Sequence, residues 1–260
     1  MELRTRDVEL VVDPAQGGRI ASLRVGGDEL LVQPATVDDD PTLWGCYPMV
    51  PWAGRVRDGR FTFAGQEVEL PPAAPPHALH GIGHLTAWEP VDDTSIRLDL
   101  GPPWPFGGSV VQRFDLHPDR LTLVMVVTAG DRPMPVVAGW HPCLRRRLDH
   151  GGDARLDIPA GAMWERDADG IPTGDLVDPS DGPWDDAFTE LSGPPRITWP
   201  GAFELTLTSS CPTWVVYDED PRLVCVEPQT DAPDAFNRRP AVLGAAASLA
   251  LELTIVWNDL

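Results

Sequence analysis

Hydrophobic and polar residues alternate along most of the chain with a period of two. Successive side chains of a β-strand point to opposite faces, so this alternation predicts strands with one face packed on a core. The clearest runs cover residues 61–63, 68–70, 96–100, 114–116, 121–127, 203–207 and 249–257. No segment carries a helical stripe at i, i+3, i+4 and i+7 for more than two turns. The pattern therefore predicts an all-β fold.

Turn signals between these runs predict antiparallel hairpins. The runs at 61–63 and 68–70 flank a turn over 64–67 that contains Gly65, and the runs at 114–116 and 121–127 flank a turn that contains Pro118. Short alternating runs bounded by such turns are typical of hairpins rather than of parallel βαβ units.

Strand signals continue from Val8 to the C-terminus with no linker between them. We therefore predict a single domain, residues 1–260, folded as a large antiparallel β-sandwich. Segments 71–76, 101–108 and 149–195 are the predicted loops, because they are rich in turn dipeptides. A loop as long as the last one is commonly functional in a compact domain, and we expect it to cross one face.

Composition narrows the class of protein. The chain has 29 Pro and 24 Gly in 260 residues, which disfavours a helical bundle. Asp and Glu number 40 against 20 basic residues, all Arg, and the net charge of −20 excludes a nucleic-acid partner. Schiff-base catalysis by Lys is excluded as well. A hydrophobic content of 42% with 10 Trp excludes disorder.

We expect no export signal, because an acidic residue follows Met1 with no apolar stretch behind it, and no apolar run approaches the ~20 residues that a membrane span needs. Its cysteines form no C-x-x-C pair and no other metal-like spacing; they are Cys46, Cys143, Cys211 and Cys225. We therefore expect a cytoplasmic protein with reduced thiols and no membrane partner.

Five polar residues occur in segments that would fix their side chains: Arg55, His80, His141, Asp185 and Glu227. His141 and Glu227 are each followed by proline at the predicted end of an apolar strand, which favours an extended backbone. A carboxylate at the rim of a core is partly desolvated, and desolvation raises its pKa towards the range useful for a base. Taken alone, Arg55 is equally compatible with a surface ion pair, and an ordinary structural role is favoured for His141, Asp185 and Glu227.

Three histidines, His77, His80 and His84, lie close together and could suggest zinc. Cysteine partners are absent nearby and the flanking glycines suit a turn, so the prediction is a polar pocket without metal.

Taken in order, the motifs P-x-x-x-R at Arg55, H-G at His80, G-x-H-P at His141, W-D-x-x-F at Asp185 and V-E-P-x-T at Glu227 resemble the aldose 1-epimerase (mutarotase) family. The resemblance covers essentially the whole chain. It implies a galactose mutarotase-like sandwich with a concave sugar-binding face, Glu227 as the catalytic base, His141 as the catalytic acid, and Arg55, His80 and Asp185 as substrate-binding residues. It implies no cofactor, a small-molecule sugar as partner, and a monomer or a homodimer.

Two positions depart from the family pattern. The family often has Asn where Gly54 precedes Arg55, and an aromatic residue where Cys143 follows the His-Pro pair. Both departures bear on which sugar fits. Trp140 or Trp184 is a candidate to stack on the sugar ring.

The function implied is interconversion of the α and β anomers of an aldohexose such as glucose or galactose. Two alternatives remain. The arginines Arg145, Arg146 and Arg147 could clamp the phosphate of a hexose phosphate. The fold could also serve a carbohydrate-binding protein without catalysis.

Overall fold

The computed structural model describes residues 1–259, and within them the chain forms 25 β-strands and one short helix. The first strands are β1 (Glu2–Arg4), β2 (Val8–Asp13), β3 (Arg19–Val25), β4 (Asp28–Glu29), β5 (Cys46–Met49), β6 (Arg55–Val56), β7 (Arg60–Phe63), β8 (Gln66–Glu69), β9 (Ala78–Leu79), β10 (Glu89–Asp92), β11 (Ser95–Asp99), β12 (Ser109–Leu116) and β13 (Arg120–Thr128). The others are β14 (Met134–Val136), β15 (Gly139–Arg145), β16 (Arg155–Asp157), β17 (Ala162–Arg166), β18 (Pro172–Val177), β19 (Asp185–Thr189), β20 (Arg196–Trp199), β21 (Phe203–Ser209), β22 (Thr213–Tyr217), β23 (Leu223–Gln229), β24 (Ala241–Leu243) and β25 (Ser248–Asp259). The helix α1 spans Ala235–Arg238, and 3₁₀ turns lie at Pro34–Thr36, Arg57–Gly59 and Gly83–Leu85.

Two large antiparallel sheets form the sandwich. The first has 11 strands in the order β1-β2-β3-β5-β15-β23-β22-β19-β17-β18, with β4 beside β3. The second has eight strands in the order β10-β11-β12-β13-β25-β21-β20-β16. Two-stranded ribbons pair β6 with β9, β7 with β8 and β14 with β24. This architecture is the all-β sandwich that the sequence predicts.

One hydrophobic core joins the facing surfaces of the two sheets. Along β13 the inward residues Leu121, Leu123, Met125 and Val127 are buried and alternate with half-buried ones. Polar bonds also cross between the sheets: the indole Nε1 of Trp140 donates to Oε1 of Gln112 at 3.0 Å. The side chains on the inner face of β15 therefore pack in the core, and those on its outer face are available for other contacts.

Each of the seven predicted runs overlaps a strand, and both predicted hairpins form, as β7–β8 and β12–β13. The first turn is shorter than predicted, because β8 already begins at Gln66. Its two residues, Ala64 and Gly65, have φ of 50° and 79°, as the tight hairpin turn requires. Strand β12 begins earlier than predicted, since the inward position at Gln112 is polar.

Segments 71–76 and 101–108 lie outside the strands, as predicted. The prediction that 149–195 is a loop was wrong, because this segment contains β16, β17, β18 and β19. These strands have three to six residues. In β18 every residue after Pro172 is exposed, so no alternation marks the strand. A strand at a sheet edge that is exposed on both faces has no hydrophobic alternation, so the pattern does not predict it.

Within residues 1–259 there is no helix that is both long and apolar enough to cross a bilayer.

Candidate active site

The five residues singled out in the sequence meet around one cavity on the outer face of the 11-stranded sheet. Arg55, His80, His141, Asp185 and Glu227 all line it. The cavity has a volume of about 210 Å³. That is below the ~300–1,000 Å³ of sites for drug-sized ligands and suits a molecule the size of a monosaccharide.

Strand register sets His141 opposite Glu227. Strands β15 and β23 pair Gly139 with Gln229 and Cys143 with Cys225, so the two residues midway between these pairs face each other. Alternation turns Trp140 into the core and His141 onto the outer face. Two central strands therefore carry the acid and base candidates on the same surface.

Neither residue ends its strand, which corrects the sequence-based expectation. Strand β15 continues through Pro142 to Arg145, and β23 continues through Pro228 to Gln229. Each proline removes one backbone donor from the ladder. The strands persist because pairs on both sides of the gap, and the outer neighbours β5 and β22, hold them in register.

His141 and Glu227 form a buried acid–base pair. Nε2 of His141 lies 3.2 Å from Oε1 of Glu227, and their side chains are 7% and 2% exposed. Burial raises the pKa of Glu227 to about 7, against the opposing attraction of His141. Burial acts to lower the pKa of His141, but Glu227 and Cys143 outweigh it and raise this pKa to about 9. Between these values a carboxylate faces an imidazolium.

The ring of His141 is held from two further sides. Tyr47, its partner on β5, stacks on the imidazole with ring centroids 4.6 Å apart. His80 meets the ring edge to face at 4.9 Å. Both contacts restrict rotation of the imidazole, so its Nε2 stays directed at Glu227.

His80 presents a neutral imidazole to the cavity. The backbone N–H of Gly54 donates to its Nδ1 at 3.3 Å, so the ring proton resides on Nε2. Burial, followed by the charges of His141, His84 and Arg55, holds the pKa of His80 well below its ordinary value. His80 has a φ of 57°, in the left-handed region that favours glycine. Residues other than glycine that adopt this conformation cluster at functional sites.

His77 and His84 do not line the cavity. Nδ1 of His77 accepts the backbone N–H of Asp58 at 3.0 Å. Nδ1 of His84 lies 3.1 Å from the carbonyl oxygen of His80, and burial lowers the pKa of His84 to about 3. His84 therefore supports the His80 turn, and His77 supports the 3₁₀ turn at Arg57–Gly59.

Asp185 lies on β19 rather than in a loop and connects two arginines. Arg55 donates to its Oδ2 at 3.1 Å, and Arg166 approaches the same oxygen at 3.6 Å. Arg166 also pairs with Asp186 at 2.9 Å and lines the cavity. Sequence reasoning missed Arg166, because it lies in the segment taken for a loop.

Gln229 and Trp164 also line the cavity and were missed. Nε2 of Gln229 donates to Oε2 of Glu227 at 3.1 Å. Its Oε1 and the Nε1 of Trp164 are buried and have no hydrogen-bond partner among residues 1–259. Gln229 follows Glu227 by two positions, so strand alternation could have identified it. No sequence signal distinguishes Trp164.

The stacking prediction for Trp140 or Trp184 was wrong, since neither lines the cavity. Trp140 faces the core, and Trp184 packs against Phe188 and donates its Nε1 to the carbonyl of Ser180. The indole that borders the cavity is that of Trp164.

The arginine run after His141 also lies away from the cavity. Arg146 donates to the backbone carbonyls of Asp218, Asp220 and Leu223. Arg145 pairs with Asp149 at 3.1 Å, and Arg147 with Asp153 at 2.6 Å. These guanidinium groups cannot clamp a ligand bound beside Glu227.

Three donor atoms that a soft metal could bind belong to His141, Cys143 and Cys225, all within 4.8 Å of one another. In the described part of the chain no fourth His, Cys, Asp or Glu joins this group. A catalytic zinc with three protein ligands keeps an open position for substrate. Neither cysteine lines the cavity, so the group does not fit a catalytic metal.

Comparison with known proteins agrees with this architecture. The family model described as aldose 1-epimerase matches residues 2–235. The uncharacterized protein YphB of Escherichia coli K12 is 29% identical over 237 residues, covering 80% of each chain.

Two solved structures share the fold. A galactose mutarotase-like protein from Clostridium acetobutylicum superposes with a TM-score of 0.86 at 16% identity, covering 100% of this chain and 95% of its own. A GalM/aldose epimerase homologue from C. elegans gives a TM-score of 0.83 at 17% identity, covering 100% and 98%. Since the family model spans nearly the whole sequence, the chain belongs to the aldose 1-epimerase family.

Proposed function

We propose that this protein is a mutarotase that interconverts the α and β anomers of an aldohexose such as glucose or galactose. The observation that carries the proposal is the buried pair of His141 and Glu227, 3.2 Å apart at a cavity of monosaccharide size. One member is basic and the other acidic near neutral pH. General acid–base chemistry needs such a pair.

The reaction requires two proton transfers at adjacent atoms. In the cyclic sugar the C1 hydroxyl and the ring oxygen are bonded to the same carbon, so an acid and a base that lie side by side can reach both. The Glu227 carboxylate takes the proton of the C1 hydroxyl while the His141 imidazolium protonates the ring oxygen. The C1–O5 bond breaks and an aldehyde forms.

Ring closure reverses these roles. After rotation about the C1–C2 bond, neutral His141 removes the proton from the C5 hydroxyl, and protonated Glu227 returns a proton to the carbonyl oxygen. Attack on the other face of the aldehyde gives the opposite anomer. Protons and electrons balance within the sugar and these two side chains, so the proposal needs no cofactor.

Polar groups around the pair suit a polyhydroxylated ligand. Arg55, Arg166 and the Nε2–H of His80 offer donors, and Asp185 offers an acceptor. The unpaired Oε1 of Gln229 and Nε1 of Trp164 add one acceptor and one donor. Leaving such buried groups unpaired costs ~1–3 kcal/mol each, a cost that sugar hydroxyls would remove.

Charge favours a neutral sugar over a hexose phosphate. Three carboxylates, Asp185, Asp186 and Glu227, line the cavity with only two arginines, Arg55 and Arg166. Both arginines are already paired with Asp185 or Asp186. With the imidazolium of His141 the cations equal the carboxylates in number and each is already paired, so a phosphate group would have to compete with a carboxylate for its cation.

Polarimetry on freshly dissolved α-D-glucose and α-D-galactose tests the proposal. We expect the rate of change in optical rotation to rise in proportion to protein concentration, and inorganic phosphate not to compete. Acceleration confined to a hexose phosphate would favour that substrate instead. Saturable sugar binding by calorimetry without acceleration would show a binding protein and contradict the proposal.

The cytoplasm is the compartment that we propose for this reaction. The four cysteines are buried and free, a state that a reducing compartment maintains.

A further inference from the structure

The imidazole of His141 contacts a second partner, on the side away from Glu227. Its Nδ1 lies 3.3 Å from Sγ of Cys143, two residues along the same strand face. Cys143 is completely buried and lies outside the lining of the cavity. It therefore reaches the acid–base pair only through His141.

Hydrogen-bond directions around Cys143 leave a lone pair of its sulfur for Nδ1. The thiol lies 3.6 Å from the carbonyl oxygen of Thr42, which can only accept a hydrogen bond. The phenol of Tyr47 donates to the same carbonyl at 3.1 Å. In the thiol form with its S–H directed at Thr42, and equally in the thiolate form, the sulfur has a lone pair that accepts the Nδ1–H of His141.

The other groups packed around His141 do not compete for Nδ1. Glu227 approaches Nε2, and Tyr47 stacks on the face of the ring. His80 meets the ring edge to face, and its own Nδ1 accepts from Gly54. His84 packs on Tyr47, and Cys225 pairs with Cys143 across the strands. Among residues 1–259, Cys143 is the hydrogen-bond partner of Nδ1.

We infer that Cys143 is a positioning residue for the proposed mutarotase reaction: its sulfur keeps the proton on Nδ1 of His141, so that Nε2 alone gives and takes the proton of the catalytic cycle. The inference rests on the proposed function. A neutral imidazole whose tautomer is not fixed is protonated on Nε2 for part of the time. In that state Nε2 has no lone pair to accept the proton of the C5 hydroxyl. The sulfur removes that unproductive state.

Electrostatics around the sulfur support this arrangement. Burial acts to raise the pKa of Cys143, but Cys225 and His141 together lower it. A sulfur polarised in this way is a stronger acceptor and stabilises the imidazolium form of His141. The residue also stands where the sequence departs from the family pattern, after the His-Pro pair.

Kinetics of Cys143→Ala and Cys143→Ser test the inference, with Cys211→Ala as a control for the loss of a buried thiol elsewhere. For Cys143→Ala we expect kcat to fall about 10–100-fold with KM within about twofold, as for other supporting residues behind a histidine. The alkaline limb of the pH profile should move to lower pH. Cys143→Ser, whose hydroxyl can accept the same bond, should restore part of kcat and of the limb. Cys211→Ala should match the wild type.

A wild-type kcat and pH profile in Cys143→Ala would overturn the inference. So would a fall in kcat with an unmoved alkaline limb, because that result indicates a structural role only. Proton and nitrogen-15 NMR of labelled histidine in the wild-type protein provides a test that needs no variant to fold, in the range between the pKa values of Glu227 and His141 where His141 is an imidazolium. We expect the Nδ1–H proton to be shifted downfield by a hydrogen bond to sulfur, and the shift of an Nδ1–H without a hydrogen bond would overturn the inference.

The same measurements separate this inference from the proposed function. A wild-type protein that leaves mutarotation at the uncatalysed rate, yet has a hydrogen-bonded Nδ1–H, would contradict the function and leave the hydrogen bond intact. An active protein whose Nδ1–H has no hydrogen bond would retain the function and refute the role of Cys143.

Discussion

Nε2 of His141 lies 3.2 Å from Oε1 of Glu227, although the two residues are distant in the sequence. The contact depends on the pairing of β15 with β23, which sets the two side chains opposite each other in the middle of the largest sheet. Neighbouring strands fix both backbones, so the pair is preorganised before any ligand binds. Their chemistry can be tested one group at a time.

Glu227→Gln and His141→Asn should each abolish most of the mutarotation, because each removes one of the two proton carriers. A well-placed general acid or base contributes about 10²–10⁴-fold, and we expect losses of that size. Polarimetry on α-D-glucose or α-D-galactose measures the effect, and thermal unfolding checks that the fold remains. A wild-type rate in either folded variant would refute the assignment.

The pH dependence of kcat/KM should form a bell. Glu227 acts as a base only when ionised, so activity rises as the pH increases through its pKa of about 7. His141 acts as an acid only when protonated, so activity falls as the pH increases through its pKa of about 9. The two apparent values belong to the pair rather than to either group alone.

Rates at each pH need the uncatalysed mutarotation subtracted, since acid and base also catalyse it in water. A profile whose optimum lies below the pKa of Glu227 would show that the ionised carboxylate is not the base.

How much of this site the sequence predicts depends on strand type. The central strands β15 and β23 are buried along almost their whole length, and a continuous apolar run that reaches His141 or Glu227 predicts each of them. Edge strands such as β18 lack a buried face, so the segment around them resembles a loop. Arg166 and Trp164 belong to that region. Their position beside the cavity that Glu227 also lines depends on tertiary structure, which no local sequence pattern predicts.

Trp164→Phe should weaken sugar binding while leaving the chemistry nearly unchanged. The substitution keeps an aromatic ring at the cavity but removes the indole N–H, which lacks a partner within the described residues. One hydrogen bond contributes ~0.5–1.5 kcal/mol, so we expect KM to rise about 2–12-fold with kcat nearly constant.

Trp184→Phe is the matched control, because its indole donates to Ser180 outside the cavity. An equal change in KM for both variants would show that loss of a Trp, and not a contact with sugar, is responsible.

Removal of metal should not affect the reaction. Cys143 and Cys225, two of the three donors grouped with His141, lie outside the lining of the cavity, and both proton carriers act without a Lewis acid. We expect equal polarimetric rates before and after prolonged dialysis against EDTA or 1,10-phenanthroline. Loss of activity that zinc restores would contradict the proposed mechanism.

Asp185→Asn should raise KM more than it lowers stability. The carboxylate holds Arg55 at 3.1 Å, so its neutral replacement releases this donor from the position that faces the sugar, whereas Arg166, 3.6 Å away, keeps its pair with Asp186. Asp185 and Arg55 keep 21% and 30% of their side-chain surface exposed, and partly exposed ion pairs contribute little to folding, ~0–1 kcal/mol. Asp153→Asn, which breaks the pair with Arg147 away from the cavity, is the control for loss of a surface ion pair. We expect saturation kinetics to show a higher KM for Asp185→Asn alone, with unfolding midpoints of the two variants close together. A common small change in both variants would mean that Asp185 serves the fold and not the ligand.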